Sequence, residues 1–372
     1  MKGLKRKAAA AMGLCLALVL WGCGTEKDKK SGVSVTGEIV EGSVETKEVL
    51  QPEIEEKKQE PFTMLFTGDI QMGSNITAAY DGAGLSGILS DELQQQMKNA
   101  DITMVNEEFP FGTGGTKAPD KQFTFKTDPS YVKMFQETGV DIVSLANNHV
   151  LDFGQDVLSQ TFETLDQAGI PYVGAGETLK RASACETIEV NGTKVGFLCA
   201  SRVIPVVDWD VRNSQPGVFT TYDPQLLVEQ IRKAEKENDL VVVYVHWGIE
   251  KAEVPEEYQK VLAHAYIDAG ADLVIGSHPH VLQGIEYYKE VPIVYSLGNF
   301  MFNPTIERTA VLKVAVDENQ KLSLKMIPAA ASNSKTSELS GKEAQAVLNY
   351  MEQISFDVEI DENGVIVPAE QE

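Results

Sequence analysis

Cysteine is scarce in this chain. There are four among 372 residues, and two of them, Cys15 and Cys23, fall in the opening stretch, so a dense disulfide framework is excluded. Positive charge is also short. Thirty-two lysines and arginines face 55 aspartates and glutamates, and the formal net charge of −23 argues against nucleic acid or an anionic membrane as a partner. An anionic substrate must then be recruited by local positive charge, most cheaply by bound metal ions. Long apolar runs are missing as well. The apolar stretch after Lys7, Ala8 to Leu20, spans 13 residues, short of the roughly 20 that a spanning helix needs. Histidine is scarce too, with five in all, and its placement carries most of the information below.

The N-terminus has the order of a targeting segment. Lys2, Lys5, Arg6 and Lys7 form a basic region, and Ala8 to Leu20 an apolar one. The segment closes with Leu20-Trp21-Gly22-Cys23, which resembles a bacterial lipoprotein box. Residues 1–23 are therefore expected to be a signal peptide, with lipidation at Cys23 and the mature chain on the extracellular face of the membrane. Trp21 is bulky for such a box, which keeps an uncleaved signal anchor open. Residues 24–60 are rich in Glu, Lys, Ser, Gly and Val without a sustained period, and read as a disordered tether.

From Pro61 onward strands and helices alternate. Strands are expected at Thr63–Thr67, Ile102–Asn106, Val140–Leu145, Tyr172–Val173, Leu240–His246, Asp272–Ile275 and Ile293–Leu297. Helices are expected at Ile88–Ala100, Tyr131–Gly139, Gly154–Gly169, Leu226–Asn238 and Pro255–Ala269. Such alternation means α/β, with helices packed outside sheets. Asn191-Gly192 marks a two-residue hairpin, in which Val190 faces Thr193. That register puts Cys185 and Cys199 on opposite faces and predicts free thiols. Residues 61–328 form the main domain. In the remaining 329–372, a helix at Gly341–Ile354 and a hairpin around Glu362-Asn363-Gly364 form a small appendage.

Polar chemistry collects where the strands end. Gly68-Asp69 follows the first, Asn106-Glu107-Glu108 the next, and Asn147-Asn148-His149 with Asp152 the third. His246-Trp247-Gly248 and Gly276-Ser277-His278-Pro279-His280 follow later strands, so four of the five histidines stand at strand ends. His264, inside a helix, is taken as structural. In open α/β sheets, ligands bind at the carboxyl ends of the strands. Carboxylates, an amide oxygen and imidazoles together suit Mn, Fe or Zn better than Ca or Mg. His278-Pro279-His280 is a stiff chelating pair, which leaves His149 free to act as a general acid. Asp152 either fixes the tautomer of His149 or caps the following helix. Lys126 either meets an anionic substrate or is solvated surface.

These residues carry a resemblance. Gly68-Asp69, Asn106-x-Glu108-x-Pro110, Phe125-Lys126, Ser144–Gly154, Val173-Gly174-Ala175-Gly176, His246-Trp247-Gly248-x-Glu250, Gly270 to His280 and Tyr295–Phe300 occur in consistent order. The chain resembles the CapA/PgsA family of poly-γ-glutamate capsule biosynthesis proteins, a branch of the calcineurin-like metallophosphoesterase superfamily. The resemblance implies a four-layer α/β-β/α sandwich of the metallo-dependent phosphatase type. It implies metal ligation by Asp69, Asn148, His246, His278 and His280, with His149 as the adjacent acid; their places in the chain add Glu108 as a further expected ligand, Asp152 as a candidate beside His149, and Asn106, Lys126 and Asn147 as candidates at the substrate. The chain departs from the phosphoesterase pattern at Gln71, where a histidine is usual, and at Asn106-x-Glu108, which replaces Gly-Asp-x-x-Asp. One or two metal ions are therefore expected.

Two functions follow as expectations. One is a metal-dependent hydrolase or transferase acting on an anionic surface polymer or its phosphorylated or amide-linked precursor. The other is a non-catalytic lipoprotein that binds or helps export that polymer, alongside other capsule-synthesis membrane proteins.

Overall fold

The computed structural model describes residues 59–370. The expected signal peptide, Cys23 and nearly all of the tether lie outside those residues.

Two sheets carry the fold. The larger has ten strands, and its parallel centre runs Phe62–Ile70, Ile102–Glu107, Ile142–Ser144 and Tyr172–Val173. The smaller has six, with a parallel centre of Thr193–Ser201, Leu240–His246, Leu273–Ser277 and Val291–Leu297. Each parallel step is bridged by chain that crosses one face, so both faces of these strands are largely buried and their residues are mostly apolar until the strand ends.

Leu240–His246 shows the consequence. Val242 and Tyr244 join the core shared with the larger sheet, whereas Val241, Val243 and Val245 join a second core with Leu227, Ile231, Leu262 and Tyr266. Those last four belong to the helices Gln225–Glu237 and Glu257–Ile267. On the other side, Leu93, Met97, Phe135, Leu158 and Phe162 bring the helices Asp91–Asn99, Lys133–Thr138 and Gln155–Ala168 onto the larger sheet. The order helix, sheet, sheet, helix is the four-layer sandwich expected. Tyr244 ties the two sheets together, donating its hydroxyl to the carbonyl of Thr67 at 3.1 Å.

The C-terminal helix Gly341–Ile354 and the hairpin Val358–Ile360/Val365–Pro368 are both present, and they are built into the larger sheet. The hairpin pairs with Leu322–Ser332, and the helix packs on that strand and on Leu282–Tyr288. The Asn191-Gly192 turn has positive φ at both residues (49° and 87°), as a hairpin matching strand twist demands, and Val190 pairs with Thr193. Cys185 and Cys199 are free thiols on opposite faces.

Among the elements not foreseen, two are longer than a single turn or a short bridge. The helix Ser74–Ala83 has no side-chain cap at Gly73 and carries no apolar stripe beyond Ile76 and Tyr80. The edge strand Leu282–Tyr288 mixes Gln283, Gly284 and Glu286 into its run, which hides its period.

Candidate metal centre

Each side chain of the centre hangs from a strand end, and the backbone there is arranged to let them converge. Asp69 is presented from the end of Phe62–Ile70, where its N–H donates to the carbonyl of Gly298 at 2.8 Å. The neighbouring Gly68 permits this approach, since a Cβ there would lie 1.9 Å from the Gly298 oxygen. Asn106, in register beside Asp69, donates its amide to Asp69 Oδ1 at 2.8 Å. Asn147 donates to the Glu107 carbonyl at 2.7 Å and accepts from the N–H of His149 at 3.0 Å. Both amides are fully buried. They were expected at the substrate; here they brace the ligand turns, because their hydrogen-bonding capacity is already committed inside.

The smaller sheet delivers three imidazoles. His246 ends its strand, and Ser277 Oγ holds its Nδ1 at 3.0 Å, which aims Nε2 inward. That Nε2 lies 2.7 Å from Asn148 Oδ1, 3.4 Å from Glu108 Oε1 and 3.1 Å from His278 Nδ1. His278 and His280 both adopt positive φ, 95° and 58°, on either side of Pro279. Left-handed backbone at bulky residues costs about 1–3 kcal/mol each, and such strain persists where surrounding structure holds it for a purpose. Here it turns both rings to one point. Among the described residues, Glu108, His278 and His280 each offer a ligand atom within 4.8 Å of the others. His280 Nδ1 is 3.2 Å from Asp69 Oδ2 and 2.8 Å from Asn299 Oδ1. All six expected ligands are thus brought together.

Electrostatics separates these groups. Burial, then the neighbouring His278, pushes His246 well below the ordinary histidine range. Burial likewise takes His278 down to about 3. Burial opposes charge on His280 too, but the carboxylates of Glu108 and Asp69 prevail and hold it up at about 9. Glu108 is raised well above the usual carboxyl range by burial and by Asp69. Its two oxygens are buried and accept no hydrogen bond. The neutral imidazoles of His246 and His278, the Asn148 amide oxygen and the orphaned Glu108 carboxyl are donors that a borderline divalent ion satisfies, and such an ion would take the place of the proton that Glu108 and Asp69 favour on His280, so the residues fit such an ion.

His149 stands beside the ligands rather than among them. Its Nδ1 pairs with Asp152 Oδ2 at 2.7 Å, which leaves Nε2 for proton transfer. Asp152 does not cap the next helix, whose N-cap is Gly154 without a side-chain bond; it serves His149. Phe125 stacks on the His149 ring at 4.4 Å and gives its N–H to Asp152 Oδ2. Burial lowers the His149 pKa, and Asp152 works the other way.

Lys126, expected at the substrate, is turned away: its ammonium bonds the Gly114 carbonyl and sits 4.0 Å over the Phe153 ring. Lys121 takes the inner place. It bonds Asp152 Oδ1 and the Asn148 carbonyl and lies 3.0 Å from His149 Nδ1. No sequence period marks Lys121, because it sits in an irregular loop; only its nearness to Phe125-Lys126 hinted at it. Gln71 brings no ligand: its backbone bonds Met301 and its side chain folds against Gly73. His264 stacks on Tyr288 at 3.9 Å and bonds Glu286, away from the centre.

Comparison with known proteins agrees with the ordered motifs. Residues 63–304 match the family described as bacterial capsule synthesis protein PGA_cap. The capsule biosynthesis protein CapA of Bacillus anthracis is 34% identical over 295 residues, 77% of this chain and 71% of that protein. The PGA biosynthesis protein CapA of Bacillus subtilis (strain 168) is 32% identical over 260 residues, 69% and 68% of the two. A 5'-nucleotidase from Candida albicans SC5314 superposes with a TM-score of 0.40 at 13% identity, over 71% of this chain and 51% of that one. The matched span contains every residue of the centre just described, so the chain belongs to the bacterial capsule synthesis protein family PGA_cap.

Proposed function

We propose that this protein is a metal-dependent hydrolase or transferase of phosphoesterase type that works in capsule assembly, on an anionic polymer such as poly-γ-glutamate or on a phosphorylated precursor of it. One observation carries the reading. Glu108 is wholly buried with both oxygens unpartnered, within ligand distance of His278 and His280. A buried carboxyl without a hydrogen bond is costly, and one that also has two imidazoles at ligand distance is a group that a bound ion would complete.

Asp69, Glu108, Asn148, His246, His278 and His280 would hold one or two Mn, Fe or Zn ions. When bound, such an ion polarises the scissile group and makes water a competent nucleophile near neutral pH. The chain's own residues do the rest. Asn106 and Asn147 fix the carboxylate and amide donors, Ser277 fixes the His246 tautomer, and Asp152 keeps the proton of His149 on Nδ1 until the ring is doubly protonated. Nε2 of that imidazolium then protonates the departing oxygen.

The likeness of Leu20-Trp21-Gly22-Cys23 to a lipoprotein box supports a lipid anchor at Cys23 that would hold the catalytic domain outside the cell. A second reading, a polymer-binding or export-assisting lipoprotein without turnover, is favoured by Gln71, which supplies no donor where the phosphoesterase pattern has one.

The deciding experiment is metal analysis of protein purified without chelators, followed by assay on phosphoesters and γ-glutamyl peptides. Bound Mn, Fe or Zn, with turnover abolished by chelation and restored by metal, is the expected result. Protein that neither binds metal nor cleaves any of these substrates sinks the proposal and leaves the binding reading.

A further inference from the structure

Two aromatic rings flank the general acid and a ligand histidine. Phe125 stacks on His149 at 4.4 Å, Phe302 meets Phe125 edge-on at 5.6 Å, and Phe302 lies 4.8 Å from the His280 ring. Two phenyl rings from separate loops therefore join the proton donor to a ligand histidine. Both rings are half-buried, so part of each faces solvent beside those histidines. The apolar character continues outward. Phe123 is 60% exposed, and on the facing loop Val206 and Val207 are 46% and 77% exposed. Val206, Leu151 and Trp209, with the polar Asp120, Gln155 and Asp208 among them, line a cavity of about 580 Å³ that reaches Lys121, the residue bound to the His149–Asp152 pair.

We propose that Phe125 and Phe302 form the leaving-group subsite, and that the substrate is an amphiphilic phosphate ester whose phosphoryl group sits at the metal ligands and whose leaving alcohol is apolar. This rests on the phosphoesterase reading above. In that reaction water adds its oxygen to phosphorus, the bond from phosphorus to the alcohol oxygen breaks, and His149 Nε2 gives that oxygen its proton. The water's own proton passes to solvent. Because Nε2 must reach the departing oxygen, the carbon attached to it has to lie against the rings that flank His149. A polyol or carboxylated leaving group would shed its water there without finding partners, whereas a hydrocarbon sheds it with gain. Of the two substrate forms considered, the phosphorylated precursor fits these walls and the bare polyanion does not.

The test uses the metal-loaded protein and calorimetric binding of octylphosphonate against methylphosphonate, which needs no turnover. Octylphosphonate should bind at least about tenfold tighter. The Phe125→Ala/Phe302→Ala variant should lose that preference while keeping methylphosphonate affinity and metal content. The Phe125→Leu/Phe302→Leu variant, which retains packing, should keep part of it and guards against misfolding of the alanine pair. Hydrolysis of octyl phosphate should likewise exceed that of methyl phosphate in kcat/KM. Equal binding of the two phosphonates, or a preference that survives both substitutions, overturns the subsite and leaves the phosphoesterase reading standing. Preferential binding without hydrolysis of either ester keeps the subsite and removes the catalytic reading. Binding of neither phosphonate overturns both.

Discussion

The two sheets furnish the centre differently. The larger sheet gives oxygen donors, Asp69, Glu108 and Asn148; Asn106 bonds the Asp69 carboxylate, and Asn147 braces the backbone at Glu107 and His149 that flanks the other two. The smaller sheet gives nitrogen donors, His246, His278 and His280, and aims two of them by left-handed backbone around Pro279. The pair proposed for proton transfer, His149 and Asp152, belongs to the larger sheet alone. A site at the seam of two sheets can thus assign metal affinity to one side and turnover to the other. The proof of such a division is that substitutions on the two sides fail in different ways.

The largest effects should come from the histidines. His280→Ala should empty the centre and lower the melting temperature of metal-loaded protein, since the stabilisation from binding vanishes with affinity. His149→Ala should leave metal content and melting temperature nearly unchanged and reduce turnover by about 10²–10⁴-fold. Metal analysis, calorimetry and kinetics on the same preparations separate the two. Equal metal loss in both variants would make His149 a ligand and dissolve the contrast between the sheets.

Smaller effects should follow from the residues that hold the ligands. Asn106→Ala and Ser277→Ala should each weaken metal binding by about 10–100-fold without removing it. Asn106 should cost more, because it reaches Asp69 at 2.8 Å and also lies 3.4 Å from His246, whereas Ser277 holds His246 alone. Competition titration with a chromogenic chelator ranks them. A reversed order would mean that the tautomer of His246 matters more than the carboxylate of Asp69.

What the sequence disclosed of this arrangement has a physical basis. Buried parallel strands are short apolar runs, and polar residues directly after them have few reasons to be there, so Asp69, Glu108, Asn148, His246, His278 and His280 stand out. Loops have no such period. Lys121 and Lys126 both lie in the loop between Phe111 and Thr127, and composition cannot tell which one turns inward; the choice depends on the bonds to Asp152 and Asn148. Asn106 and Asn147 were recognised as part of the site but given to the substrate, because an amide that braces a ligand and one that faces solvent look alike in a sequence. The role of Asp152 required knowing that Gly154 starts the helix without it.

Glu107 and Glu108 sharpen the contrast to adjacent residues. Both are fully buried and both have two unpartnered oxygens, yet strand alternation sends only Glu108 to the metal ligands. Burial alone raises the pKa of Glu107 well above the usual carboxyl range, with no neighbouring charge contributing. Glu107 therefore costs stability, and Glu107→Met should stabilise the protein by about 1–3 kcal/mol in urea at neutral pH, with metal affinity unchanged. The sign with pH follows from the raised folded pKa. Between the unfolded and folded values the native state binds the extra proton, so the wild type loses stability as pH rises through that window. The advantage of Glu107→Met should accordingly be smaller at about pH 5 than at about pH 8. Glu108→Met, one residue on, should abolish metal binding instead. If Glu107→Met destabilises the fold or weakens metal binding, the two acids are not opposite in role, and Glu107 has a partner that its buried side of the sheet conceals.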